Sequence, residues 1–422
     1  MTTASAYEAL TPESLPVRLG TVAALADRLG HSAGWRVREV GDGNLNLVFI
    51  VESPKGAAVV KQALPYVRLV GDSWPLPLRR AFFEYNALIR QEARDPGAVP
   101  AVYHFDETQA IIVMEYLGRH VILRHDLMAG KRHAGLGQRL GTFCARTLFR
   151  GSDLSMKAAE RKADLALFAG NVELCDITEN LVFTDPWFDA KLNRFTPALA
   201  PLVARLRADA ALKVAVSDLK YAFASRAETM LHGDLHTGSV MVSEDEARVI
   251  DPEFATYGPM GLDIAMLIAN FLMAFHAQPG HAPSPGARAD YQDWILSVVA
   301  DLWSAFETEF TRLWRTERTG MLYPDCLFAD QGQPYAAEDA RLGVLSRIWR
   351  DTLGFAGAEM HRRILGLAHI AEYDRIADEG VRAACEARGL ILGRSLILGA
   401  GTIADMPALL DLARTIDKGD HL

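Results

Sequence analysis

The segment LHGDLHTGSV, Leu231 to Val240, sets Asp234 between two histidines and then turns, ending the turn on Ser239. An acid among small and apolar neighbours needs a partner or a task. Next come VMV (240–242) and ARVI (247–250), two β-branched runs joined by turn residues, the pattern of a hairpin. After them comes DPEFATYGPMGLDI, which begins at Asp251. Asp234, Asp251 and Glu253 therefore fall within twenty residues, at the ends of elements that a hairpin folds back on each other. Three converging carboxylates repel unless a cation holds them. Mg²⁺, a hard cation that shares its oxygen ligands with substrate phosphates, is the expected guest.

Upstream, the first 117 residues hold a complementary set. TPESLPVRLGTVAALADRLG (11–30) reads as a helical region closed by Gly30. WRVREV (35–40) alternates like a half-buried strand, and LVFIVE (47–52) and AAVVKQ (57–62) are short and β-branched. GDGNLN (41–46) and SPKG (53–56) are turn chemistry, so three antiparallel strands are expected. A helix follows over 78–92, with Phe82, Tyr85, Leu88 and Ile89 at helical spacing, then strands near 102–105 and 110–116. The small residues around Asn44 let backbone N–H groups approach phosphates, although Asn44 and Asn46 can equally serve only to shape the turn. Lys61 ends a strand and Glu84 follows on the next helix, the pairing with which kinases hold the α- and β-phosphates. VMEYL (113–117) ends the last strand where a kinase hinge exposes backbone groups to adenine, which makes Glu115 and Leu117 candidates.

HGDLHTGS followed by IDPEFA resembles the aminoglycoside-phosphotransferase and choline-kinase group of protein-kinase-like folds. Within that group the chain resembles the methylthioribose kinase family. The likeness rests on DGNLN in place of a glycine-rich GxGxxG, on Thr-Gly-Ser, and on Asp-Pro-Glu followed by YGPMGLDI. A tryptophan loop, RLVGDSWPL (68–76), and a late GAEMHRRILG (357–366) complete it, and together these span about residues 40 to 375. The resemblance implies an α+β, two-lobed fold: a small β-rich lobe over 1–117 and a large, mainly helical lobe over 118–422, with ATP in the cleft. It implies that Asp234 orients and deprotonates the acceptor hydroxyl, that Asp251 and Glu253 hold Mg²⁺, and that Asn44, Lys61, Glu84, Glu115 and Leu117 serve ATP. Trp74 would border the nucleotide, although a Trp-Pro can also simply pack in a core. Arg362 and Arg363 would join Asp234 at the acceptor.

The implied reaction is phosphorylation of 5-methylthioribose at its 1-hydroxyl, in methionine salvage, by a homodimer. Protein kinases carry a metal-binding asparagine five residues after the catalytic aspartate. Here that place is Ser239, a poorer ligand, which the family shares. Two carboxylates in Asp-Pro-Glu would free it for a structural hydrogen bond. Adjacent helical arginines diverge by about 100°. Arg362 and Arg363 are therefore expected to do different jobs, one at the sugar or phosphoryl group and one anchored through Glu359. The alternatives are a kinase of another small alcohol (aminoglycoside, choline or homoserine type) or a non-catalytic nucleotide-binding regulator. A cationic acceptor would want an acidic pocket, which the arginine pair argues against. A regulator would have lost Lys61, Asp234 or the metal acids, and none is lost.

Composition fits a globular chain of two or three domains: 422 residues, 50% hydrophobic and 23% charged. A net charge of −9 with the 44 Lys and Arg spread along the chain argues against nucleic acid. Cys144, Cys175, Cys326 and Cys385 are far apart, so neither a zinc site nor a disulfide framework is expected, and a reducing cytoplasm fits. MTTASAYEAL lacks the pattern of a signal peptide. IAMLIANFLMAF (264–275) is too short to span a bilayer and reads as a buried helix, so no membrane is expected. HAQPGHAPSPGARAD (276–290) reads as a surface loop. His232 is expected to brace the catalytic loop, His236 has no assigned role, and His120, His125 and His133 read as surface.

Overall fold

The computed structural model describes residues 7–41, 46–67 and 71–419; Asn44 lies outside them, as do the side chains of 67 and 71–74, Trp74 included. Contacts divide the chain into two compact units. The first runs to His120 and also takes 171–174 and 248–255; the second is the remainder. The boundary expected from sequence was a single cut after 117.

The first unit contains α1 (Ser14–Leu19), α2 (Ala23–Leu29), β1 (Arg36–Glu39), β2 (Asn46–Ser53), β3 (Gly56–Ala63), β4 (Tyr66–Val67), β5 (Gly71–Pro75), α3 (Arg80–Arg94), β6 (Val102–Asp106) and β7 (Ile111–Glu115). Five strands form one antiparallel sheet in the order β1-β2-β3-β7-β6. Side chains alternate faces along a strand. On one face Phe49, Val51, Ala58, Val60, Ile111 and Val113 pack with Leu15, Leu19, Leu25 and Leu29 of the first two helices. Gln62 points the same way. It is fully buried, accepts from Leu10 N at 2.7 Å and donates to Glu8 O and Gln109 O. Its neighbour Lys61 must point to the opposite face, where it meets α3.

The face that α3 buries is not the one its apolar spacing suggested. Ala81, Phe83, Glu84, Ala87, Leu88 and Gln91 are buried, whereas Ile89 is exposed and Phe82 and Tyr85 are half-buried. The buried face carries polar residues, and counting only apolar ones rotated the helix. Trp74 lies in β5, which pairs with β4. Segment 248–255 joins this unit because Val249 N donates to Ala98 O at 2.8 Å, while Asn171 Nδ2 donates to Glu253 O and Ala255 O at 2.9 and 3.0 Å.

The remaining elements are β8 (Val121–Ile122), α4 (Leu123–Ala129), α5 (Leu136–Arg150), α6 (Ala158–Phe168), α7 (Val172–Leu181), α8 (Ala200–Ala208), α9 (Ala210–Ser225), β9 (Thr229–Met230), β10 (Val240–Val242), β11 (Ala247–Val249) and β12 (Tyr257–Gly258). Then come α10 (Gly261–His281), α11 (Ala289–Thr316), α12 (Pro334–Leu365), α13 (Ala371–Asp374), α14 (Glu379–Gly399) and α15 (Met406–Asp417). Helix α10 is long and apolar enough to cross a membrane, yet its residues 261–278 are all buried within the protein. It also corrects the reading of 276–290. The helix continues through Pro279 to His281, and only 282–288 is loop. A proline inside a helix leaves the carbonyl four residues back without its N–H. That carbonyl, Phe275 O, accepts from Gln292 Nε2 at 3.1 Å instead.

Helix α5 packs closely on α11 because Gly137 and Gly141 carry no side chain: a Cβ on Gly141 would stand 2.1 Å from Leu302 O. His133 is buried rather than on the surface, held by Asp126 Oδ2 at 3.0 Å and Ser243 O at 3.1 Å.

Candidate active site

In the first unit, the period of two on β3 and the buried face of α3 bring Lys61 against Glu84. Nζ donates to Glu84 Oε1 at 2.8 Å and is also bonded to Asp251 Oδ1. Asp251 reaches it from a left-handed backbone, φ 69°, a conformation Asp tolerates better than most residues. Glu84, Asp251 and Glu253 can each offer an oxygen within 4.8 Å of the others. The sequence grouped Asp234 with Asp251 and Glu253; the third carboxylate the structure sets beside those two is Glu84. Burial works to lower the Lys61 pKa, but Asp251, Glu84 and Glu253 outweigh it and raise it. Burial pushes the Glu84 carboxyl up to about 8; Lys61 pulls against this, and Asp251 and Glu253 add to the rise. Glu253 is raised as well, by burial first. This crowding of acids is what a hard divalent cation would relieve, so the donor set fits Mg²⁺.

Two residues of this cluster were not read as such from the sequence. Asn46 Nδ2 donates to Glu253 Oε2 at 3.2 Å, and Arg80 Nε stands 3.4 Å from the same oxygen. Asn46 thus does more than shape a turn. Of the hinge candidates, Glu115 pairs with Ala101, its N–H donating to Ala101 O at 2.8 Å and its Oε2 accepting from Ala101 N at 3.2 Å. Leu117 is buried, and its carbonyl accepts from His120 N at 3.0 Å.

In the second unit, the loop around Asp234 is built from its backbone outward. Gly233 takes φ 87°, where a side chain is strained. Asp263, in the first turn of α10, accepts from His232 N at 2.7 Å and Gly233 N at 3.0 Å. His232 Nδ1 accepts from Asp234 N at 3.3 Å, the bracing expected of it. Ser239 Oγ donates to Asp234 O at 3.1 Å, a structural bond. Thr237 is fully buried, its hydroxyl between Asn270 Oδ1 at 3.3 Å and Glu372 Oε1 at 3.2 Å. Arg124 clamps the same two acceptors, each at 3.1 Å. Asp263 stands inside the quoted YGPMGLDI and could have been found as a helix-start acid; Arg124 and Glu372 carry no local signal.

The Asp234 carboxylate meets both late arginines. Arg362 Nη1 and Arg363 Nη2 donate to Oδ1 at 3.1 and 3.0 Å, and both also bind Glu359, at 3.1 and 2.5 Å. The anchoring half of the expectation is corrected: both arginines, not one, bind Glu359. The Cα directions diverge, but two long side chains converge on the same pair of acids. His236 Nε2 lies 3.4 Å from Asp234 Oδ2, while its Nδ1 accepts from Gly238 N at 2.9 Å. Burial lowers the His236 pKa more than Asp234 raises it. Burial would raise the Asp234 pKa; His236, Arg362 and Arg363 oppose it and hold the carboxyl well below its usual range.

Residues 36–302 match the phosphotransferase enzyme family. A methylthioribose kinase of Escherichia coli O45:K1 (strain S88 / ExPEC) is 42% identical over 414 residues, 97% of this chain and 98% of that protein. Methylthioribose kinase 1 of Oryza sativa subsp. japonica is 42% identical over 398 residues, 93% of this chain and 92% of its own. A solved glucosamine kinase in complex with glucosamine, ADP and inorganic phosphate covers 91% of this chain and 86% of its own at 18% identity, with a TM-score of 0.49, a likeness that says nothing of substrate.

Proposed function

The chain belongs to the methylthioribose kinase family of phosphotransferases, and from that premise we propose that it moves the γ-phosphoryl group of ATP to the 1-hydroxyl of 5-methylthioribose. The products are 5-methylthioribose 1-phosphate and ADP, a step of methionine salvage. One observation carries the chemistry: a buried lysine bonded at once to a helix glutamate and to the first acid of Asp-Pro-Glu.

Phosphoryl transfer asks a protein mainly for positioning and charge neutralisation. Lys61, oriented by Glu84, grips the nucleotide phosphates, with the segment around Asn44 and the backbone at Glu115 and Leu117 serving the rest of ATP and Trp74 bordering it. Mg²⁺, when bound, would neutralise charge on the phosphates, and Asp251 and Glu253 are the carboxylates to hold it. Asp234, fixed as an anion, accepts the hydrogen of the acceptor hydroxyl and aligns its oxygen for attack. Arg362 and Arg363 are at hand for charge that develops on the transferring group. Two arginines on Asp234 support a neutral sugar over a cationic alcohol. The same reading makes the protein a homodimer with no membrane partner; its four free cysteines support a cytoplasmic place, and its net charge of −9 supports the lack of a nucleic-acid partner.

The test is ADP release from Mg-ATP across a panel of alcohols: methylthioribose, ribose, choline, homoserine and an aminoglycoside. Methylthioribose should be preferred, and Asp234→Asn should lose on the order of 10²–10⁴-fold in turnover while still binding ATP. A preference for any other acceptor refutes the substrate assignment.

A further inference from the structure

Arg80 is fully buried at the first position of α3. Both facts count against an arginine. A cation at a helix N-terminus opposes the macrodipole, and a buried charge is strongly unfavourable without a partner. What compensates is specific. Nη1 donates to Leu64 O at 2.5 Å and Pro77 O at 3.2 Å, closing the segment between β3 and α3. Nη2 donates to Asn46 Oδ1 at 3.1 Å, and Nε stands 3.4 Å from Glu253 Oε2. Asn46 Nδ2 then donates to that same Oε2 at 3.2 Å. Arginine and asparagine therefore hold each other and one oxygen of Glu253.

The two carbonyl bonds would explain a structural arginine. They do not explain why Nε and Nη2 are turned to the metal motif and to Asn46, the last residue of DGNLN. With all three ionised, the carboxylates Glu84, Asp251 and Glu253 would face two cations, Lys61 and Arg80, one negative charge too many. With Arg80 absent the excess would be larger, and Glu253 would lose one of the two groups that fix its rotamer. We propose that Arg80, acting with Asn46, is a positioning residue for the cation-bound nucleotide: it commits Glu253 Oε2 to the protein so that the carboxylate presents its other oxygen toward the metal. This ties the start of β2, the segment before α3 and the Asp-Pro-Glu motif into one rigid support. The proposal rests on the reading of Asp251 and Glu253 as Mg²⁺ ligands, not on the identity of the acceptor.

The experiment is calorimetric titration of ADP into the full-length protein at a series of Mg²⁺ concentrations, for the parent, Arg80→Lys, Asn46→Ala, Glu253→Gln and the doubles with Glu253→Gln. Arg80→Lys keeps the charge but cannot reach three acceptors with a fork. The Mg²⁺ concentration giving half-maximal enhancement of ADP binding should rise at least tenfold in Arg80→Lys and severalfold in Asn46→Ala. In Arg80→Lys, ADP affinity without Mg²⁺ and methylthioribose affinity should stay at the parent value. In the Glu253→Gln background neither substitution should shift the Mg²⁺ midpoint further, because residues that act through one group are not additive. If Arg80→Lys fails to fold, Asn46→Ala alone decides. Mg²⁺ titrations that superimpose on the parent's, or shifts that add in full to that of Glu253→Gln, overturn the proposal. A parent protein that binds Mg-ADP as described but does not phosphorylate methylthioribose would instead refute the substrate and leave this inference standing.

Discussion

Arg362 and Arg363 reach the same two acids by different nitrogens, and that difference is testable. Arg362 uses one nitrogen, Nη1, for both Asp234 and Glu359. Arg363 spans them with Nη2 and Nε. A lysine ammonium can stand where one nitrogen serves two acceptors, but it cannot span a fork. Arg363→Lys should therefore lose more turnover than Arg362→Lys, by about tenfold or more given ~1–3 kcal/mol for an unmet buried partner. Equal kcat values for the two would contradict this. The neighbouring His361 is fully buried against Trp187, ring centroids 4.6 Å apart, and burial pulls its pKa from 6.5 to about 4. The unfolded chain then binds more protons between those values, so stability is full above pH 6.5 and is lost as the pH falls toward 4. The ceiling is on the order of 3 kcal/mol, at 1.36 per pKa unit. Melting curves of His361→Gln from pH 7 to 4 should fall less steeply than the parent's.

Among the elements, α5 and α11 approach closely at Gly137 and Gly141. A Cβ on Gly141 would meet backbone atoms, Leu302 O and Phe306 N, which cannot swing aside as a side chain can. Gly141→Ala should destabilise by at least the ~1–3 kcal/mol of an overpacked core, seen as a lower denaturant midpoint with unchanged slope. A neutral result would mean that the helices can part. The sheet of the first unit was legible because its strands alternate and its turns carry Gly, Pro and Asn. Helix α3 was found, but its buried face was misread, because Glu84 and Gln91 belong to that face and polar residues give no apolar signal. The end of α10 was missed for a similar reason: PGH reads as loop until Gln292, from another helix, takes the carbonyl that Pro279 leaves.

For the molecule as a whole, ligand binding and stability are linked. A ligand at a hundred times its Kd adds about 2.7 kcal/mol to the folded state. ADP with Mg²⁺ should raise the melting temperature more than either alone, and a chelator should remove the difference. Glu253→Ala should retain the ADP shift and lose its dependence on Mg²⁺. An unchanged Mg²⁺ dependence would deny Glu253 its place as a ligand and return the question of Ser239.

The sequence by itself determined which residues could do chemistry and in what local setting. Asp234 in its turn, Lys61 at the end of a strand and Asp-Pro-Glu after a hairpin are patterns of neighbours, fixed by residue type and spacing within a few positions. Tertiary structure alone decided who meets whom at long range. Arg80 meets Glu253 across 173 positions and Arg363 meets Asp234 across 129. Such pairs exist because burial makes an unpartnered charge untenable, and a partner is whatever the packed chain brings within about 3 Å. Nothing in the local pattern of either residue records that choice.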